Sequence, residues 1–157
     1  MLTLSIETEP IESSGAQSVY QSAIDELKRR YGAGDEFWQL DLTQFQVPPG
    51  FFLVARVNTH PAGCVGLRAI GDPALHLGEV KRLWVRPDLR RAGVAASLMA
   101  AVEDHARTAG YLQLYLETGE AQPEAQALYP KLDWTSVDEF PPGAYSHPHA
   151  FRFTKML

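Results

Sequence analysis

The residues with the clearest chemistry lie between Glu79 and Val102, EVKRLWVRPDLRRAGVAASLMAAV. Pro87 ends an apolar run, a basic turn follows, and small residues open what reads as a helix. The turn is Arg90-Arg91-Ala92-Gly93-Val94-Ala95, with Ala96 next. Small residues let a backbone approach a ligand closely. The first N–H groups of a helix have no intrahelical partner and stand at the positive end of its dipole. Two arginines add forked donors that match phosphate oxygens. Together these are the parts of a pyrophosphate seat. There is no G-x-x-x-x-G-K-[ST] and no G-x-G-x-x-G, so neither a Walker loop nor a dinucleotide fingerprint is present. The same hexapeptide also suits a solvated basic helix start that binds nothing.

Other reactive residue types read blandly. Cys64 is the single cysteine, which excludes an internal disulfide and a zinc site built on several thiolates. Its apolar surroundings make it a core residue. His147 and His149 flank Pro148 with no carboxylate beside them, so no metal is expected. His60 falls in a turn and His105 on a helix flank. Glu117, Glu120 and Glu124 read as a solvated face.

The elements that must carry this turn follow from periodicity. Leu2 to Glu7 alternates as a strand. Val19, Ala23, Leu27 and Tyr31 recur at helical spacing until Gly32 and Gly34. Phe37 to Leu42 is a short aromatic-rich segment with room for one helical turn. Phe51 to Val57 and Cys64 to Ile70 form a hairpin about a turn at Asn58 to Pro61. Leu77 to Val85 is a further strand. The clearest helix runs from Ala92 to Ala109, with Val94, Leu98, Val102 and Ala106 on one stripe and Gly110 beyond its end. A strand from Tyr111 to Leu116, a helix from Pro123 to Lys131 and strands at Trp134 to Val137 and Ala150 to Met156 complete the chain. Helices interrupt strands, so the sheet is mixed, and the Leu77 and Tyr111 strands are expected to be parallel.

Composition sets the outer bounds. A chain of 157 residues, 45% hydrophobic and 21% charged, suits one soluble globular domain. The net charge of −5 argues against a general nucleic-acid binder. The start, MLTLSIETEP, lacks the basic and apolar regions of a signal peptide. No apolar run approaches the ~20 residues that span a bilayer. A cytoplasmic setting is expected.

The hexapeptide does not stand alone. The strand Glu79 to Pro87 (EVKRLWVRP), the signature Arg90-x-x-Gly93-x-Ala95, and the segment Leu116 to Trp134 (LETGEAQPEAQALYPKLDW), with its A-x-x-L-Y ending at Tyr129, resemble the GNAT superfamily of acetyl-CoA-dependent N-acetyltransferases. The resemblance is tight from Phe51 to Trp134 and looser at both ends. It departs at Arg91, where the family usually has glycine, at Ala92, where it usually has a basic residue, and at Asp133, again usually glycine.

The resemblance implies one N-acetyltransferase domain over 1–157. Its fold would be α/β (α+β), a mixed, mostly antiparallel sheet of about seven strands with flanking helices. It implies direct transfer of acetyl from acetyl-CoA, without metal, to a primary amine on a small or amino-acid-like acceptor. The rival is a non-catalytic acyl-CoA-binding module of the same fold. Nucleic acid and membrane are not expected as partners, and the protein would be a monomer or homodimer. The coenzyme A pyrophosphate would rest on the N–H groups from Arg91 through Ala92, Gly93, Val94 and Ala95 to Ala96, aided by Arg90 and Arg91. The pantetheine arm would lie along Leu83, Trp84 and Val85, where the strand splays, commonly at a bulge, with the Val85 N–H a candidate oxyanion donor. Tyr129 is the candidate acid for the leaving thiolate. Glu79 is the candidate base, directly or through water, or else a salt-bridge partner of Lys81 or Arg82. Phe37, Trp38, Tyr145 and His147 would line the acceptor site, where Glu36, Asp138 and Glu139 suit a cationic amine.

Overall fold

The protein is described by a computed structural model over residues 3–32, 34 and 38–157. Strand β1 (Leu4–Thr8) leads into helix α1 (Ser14–Tyr31). The Ser13 hydroxyl caps α1 by accepting from the Ala16 N–H, and Gly32 ends it in the left-handed region. A short 3-10 turn, Leu42–Phe45, precedes β2 (Phe51–Val57) and β3 (His60–Ile70). Asn58 and Thr59 have φ of 49° and 74°. Positive φ at both central residues makes a two-residue hairpin turn whose twist matches its strands. Hence β3 starts at His60, four residues before the expected Cys64.

Next come β4 (Leu77–Val85), α2 (Val94–Thr108), β5 (Gln113–Thr118), α3 (Pro123–Lys131), β6 (Thr135–Val137) and β7 (Phe151–Met156). Helix α2 starts two residues later than its periodicity suggests. Arg91 and Gly93 hold φ of 62° and 85°, which no right-handed helix contains. Strand β5 also starts late, because the Tyr111 N–H is still tied to the Ala106 carbonyl at the end of α2.

The sheet has seven strands in the order β1-β2-β3-β4-β5-β7-β6. Every neighbouring pair is antiparallel except β4 and β5, which are parallel and joined by the α2 crossover. Alternation along β2 and β3 sends two apolar sets to opposite faces. Phe52, Val54 and Cys64 meet Val19, Tyr20 and Ile24 of α1. Leu53, Ala55, Val65 and Leu67 meet Leu98, Met99, Val102 and Ala106 of α2, and that core continues to Tyr129 of α3. So α1 covers one face, while α2 and α3 cover the other.

Candidate active site

The site begins where two parallel strands part. Strands β4 and β5 pair only from Leu77 to Glu79 against Gln113 to Tyr115. Beyond that, β4 continues to Val85 and β5 to Thr118 with no pairing between them. A bulge on β4 accompanies the parting. Cys64 pairs with Trp84 but Gly66 with Lys81, so β4 carries one extra residue opposite Val65. The extra residue is accommodated at Arg82, whose φ of 60° is unusual for a side chain of that size.

A cleft of about 430 Å³ fills the gap. Because the sheet itself is open there, both of its faces contribute walls. Val80 to Trp84 supply one side and Glu117 to Glu120 the other. Glu26, Leu27, Tyr31 and Trp38 close one face, Tyr129 the opposite one, and His147 to Ala150 the end. Tyr31 and Arg30 of α1 strap across to the β5–α3 loop, through Gln122 and the Ala121 carbonyl.

The basic turn stands past the end of β4. Gly93 caps α2 with no side-chain hydrogen bond among the described residues, which leaves the N–H groups of its first turn without a side-chain cap. A Cβ built on Gly93 meets nothing within 4 Å; the left-handed backbone, not crowding, requires glycine here. Arg91, Ala92 and Gly93 are exposed, Val94 is buried, and Ala95 and Ala96 lie between. The two arginines are not equivalent. Arg90 turns inward, with Nη2 at 2.6 Å from Glu26 Oε1 and Nε donating to the Val85 carbonyl at 2.9 Å. Burial pushes the Glu26 carboxyl up, but hydrogen bonding and charge from Arg90 outweigh it and hold the carboxyl below its ordinary value. Arg91 faces solvent.

The Arg86 N–H donates to the Ala62 carbonyl, which makes those two residues a hydrogen-bonded pair. Val85, opposite Gly63, therefore turns its own N–H away from β3. Leu83 and Trp84 line the cleft beside it.

The two candidate proton carriers lie in different environments. Tyr129 is 6% exposed, its ring tilted against Phe153 and Trp134 at 5.6 and 6.2 Å between centroids, and it lines the cleft. Burial pushes its phenol well above the ordinary range. Glu79 is 1% exposed and does not line the cleft. Its Oε1 accepts from Arg68 Nη2 at 2.7 Å and Nε at 2.9 Å, and its Oε2 lies 3.6 Å from Lys81 Nζ. It packs as a buried ion pair, and its hydrogen-bonded partner is Arg68, with Lys81 farther off.

At the far end, Trp38 and His147 line the cleft. Tyr145 is 68% exposed at the rim, with its ring edge-on to His147 at 5.3 Å. Phe37 and Glu36 lie outside the described residues. Glu117, which reads in the sequence as solvated, is the buried centre of this end. Its Oε1 lies 2.7 Å from His147 Nδ1, and its Oε2 accepts from the Ser146 hydroxyl and the His147 N–H. The Ser146 hydroxyl in turn accepts from Arg152 Nε. Burial would raise the Glu117 carboxyl, but these hydrogen bonds and the charge of Lys81 hold it below its ordinary value. The signal was the inward parity of β5: Leu114, Leu116 and Thr118 face one side and Glu117 the other, into the gap left by β4.

Comparison with known proteins gives the same frame a name. The model of the acetyltransferase (GNAT) family matches residues 16–134, well over half of the chain. An IAA acetyltransferase of Azospirillum brasilense is 37% identical over 132 residues, covering 82% of this chain and 85% of that protein. Among solved structures, a GNAT-family acetyltransferase of Staphylococcus aureus superposes with a TM-score of 0.83 at 16% identity, covering 98% of this chain and 99% of that one. A GNAT-family acetyltransferase of Elizabethkingia anophelis with acetyl-CoA bound gives 0.69 at 18% identity, covering 98% of both. The splayed parallel pair, the uncapped helix start beyond it and the family match over both agree: the chain belongs to the acetyltransferase (GNAT) family and is an N-acetyltransferase.

Proposed function

We propose that this enzyme transfers acetyl from acetyl-CoA directly to the primary amine of a small or amino-acid-like acceptor, with the chain acting as one domain. The observation that carries this reading is the cleft in the gap between β4 and β5, lined by Leu83, Trp84 and Tyr129, with the uncapped start of α2 past the end of β4. Such an arrangement suits a thioester in the gap and a diphosphate at the helix start. The acetyl-CoA bound in the Elizabethkingia relative supports the choice of donor.

The residues fit that donor. The N–H groups at the start of α2 and the exposed Arg91 side chain suit the pyrophosphate. Arg90 acts indirectly, by pinning the Val85 carbonyl and Glu26. The outward Val85 N–H is placed to donate to the carbonyl oxygen as it gains charge. Tyr129, on the cleft wall, is the acid for the departing sulfur, and burial keeps its phenol protonated in the resting site. Glu79 balances the charges of Arg68 and Lys81. The modest cleft volume and its Trp38, Tyr31 and Leu27 wall favour a small acceptor.

The test is release of free thiol from acetyl-CoA in the presence of a panel of amines: the L-amino acids, tyramine, spermidine and short peptides. Mass spectrometry would then find one acetyl group on the accepted amine. Expected is amine-dependent thiol release on at least one small member. Acetylation of peptides alone would overturn the acceptor class, and no release with any amine would overturn the transfer reading.

A further inference from the structure

We infer that His147, oriented by Glu117, is the base that takes the proton from the acceptor amine; this rests on the transfer reading above. An amine reaches the cleft mainly as an ammonium ion and must lose a proton before it can attack. The acceptor of that proton must come within hydrogen-bond reach of the nitrogen, or within one water of it. Glu79 is 1% exposed and absent from the cleft wall, its Oε1 is held by Arg68, and its Oε2 lies 3.6 Å from Lys81 Nζ. The imidazole of His147 lines the cleft and its side chain is 45% exposed.

The protonation pattern follows from the partners. An ionised carboxylate only accepts hydrogen bonds. Glu117 Oε1, 2.7 Å from Nδ1, therefore fixes the proton on Nδ1 and leaves Nε2 as the basic nitrogen of the neutral ring. The carboxylate then stabilises the imidazolium once Nε2 gains its proton, as a buried carboxylate does behind a histidine base in hydrolases. Four further contacts hold the geometry. Ser146 and the His147 N–H fix the other Glu117 oxygen, and Arg152 holds the Ser146 hydroxyl and the His147 carbonyl. Among the described residues, the other charged or titratable groups on the cleft wall with His147 are Lys81 and Arg82 of β4, Glu120 of the β5–α3 loop, His149 of its own loop, and Glu26 and Tyr31 on the α1 wall, with Tyr145 edge-on to the ring.

The protons balance. His147 Nε2 takes one proton from the ammonium ion, and the freed lone pair forms the C–N bond to the acetyl carbon. The C–S bond breaks and its electron pair leaves on sulfur. Tyr129 gives that sulfur a proton and regains one from the nitrogen of the new amide. His147 returns its proton to water. The sum consumes the ammonium and acetyl-CoA and yields the acetylated amine, coenzyme A and one proton.

The experiment is the pH dependence of kcat and kcat/KM, with the fastest amine of the panel, for wild type, H147A, H147Q and E117Q. H147A and H147Q should lose about 10²–10⁴-fold in kcat with KM for acetyl-CoA unchanged. The loss should shrink at high pH, where the amine is neutral without help. Added imidazole should restore part of the H147A rate, which a merely structural role would not allow. His147 is half exposed, so these variants should fold; E117Q is the positioning variant. In it, long-range 15N NMR of the His147 ring should show the neutral proton no longer confined to Nδ1. If H147A and H147Q keep the wild-type rate and profile while wild type turns over, the assignment is overturned and the transfer reading stands. If wild type releases no thiol with any amine, both fall.

Discussion

Tyr129 and Arg91 carry the predictions that belong to single residues. Tyr129→Phe should lower kcat by about 10² or more, with KM for acetyl-CoA little changed. Because burial holds the phenol above its ordinary value of 10.0, wild-type kcat should show no Tyr129-linked alkaline decline below that pH. A steady-state profile of the two proteins checks both statements. Arg91 holds φ of 62°, a region that costs an L-residue about 1–2 kcal/mol and glycine almost nothing. Arg91→Gly should therefore stabilise the fold by about 1 kcal/mol and still weaken coenzyme A binding, whereas Arg91→Ala should weaken binding without the gain. Calorimetry and denaturant unfolding separate the two effects, and equal stability of the two variants would contradict the strain. Glu117 supplies a pH prediction. Its folded value lies below the ordinary 4.5, so its contribution is complete above that pH and is lost as the pH falls through the lower folded value. Urea unfolding should weaken more steeply below about pH 4.5 in wild type than in Glu117→Gln; identical slopes would contradict it. These residues also mark what the sequence could say. The place of Tyr129 on the cleft wall and of the turn before α2 could be read ahead because their spacing is a motif. That of Glu117 could not, because β5 alternates in a way that suits a solvated edge, and only the parting of β4 turns that face into a cleft wall. Glu79 looked like the cleft carboxylate because it opens the right strand, but its partner Arg68 lies on β3, eleven residues away, and no local pattern reveals that pairing.

Among the elements, the helices and strands that read clearly were those whose periodicity is set by one face. Strands β2 and β4 and helix α3 occupy the expected residues. Three late or early starts fall at left-handed residues or at a helix end that holds one more hydrogen bond: Asn58 and Thr59 before β3, Arg91 and Gly93 before α2, Tyr111 before β5. Turn geometry of that kind depends on single backbone angles, to which a hydrophobic period is blind. Asp133 belongs to the same class. It ends α3 at φ of 68° and lets the Trp134 N–H reach back to the Tyr129 carbonyl. Asp133→Gly should raise stability by about 1 kcal/mol through relief of that conformation, a rise in midpoint of about 2–4 °C for a domain of this size. A lower midpoint would mean that the aspartate side chain contributes more than its backbone costs.

For the whole molecule, the central feature is that the sheet is open in the middle. A seven-stranded sheet that stayed paired from β4 to β5 would separate α1 from Tyr129 by a closed layer; the parting after Glu79 lets residues from both faces meet in one cleft. The order of elements and the parallel pair were legible from the sequence, since a strand–helix–strand crossover has few alternatives. The depth of the opening was not, because it arises from a bulge at Arg82 and from an absence of pairing, neither of which leaves a compositional trace. The account stands or falls on whether this opening and the turn beyond it seat acetyl-CoA. The direct measurement is thermal unfolding with and without acetyl-CoA, beside Gly93→Ala, whose positive φ makes alanine strained. Ligand at 100 times its Kd should stabilise wild type by about 2.7 kcal/mol, a shift of several degrees, and the variant by much less at the same concentration. No shift in wild type at millimolar acetyl-CoA would contradict the account.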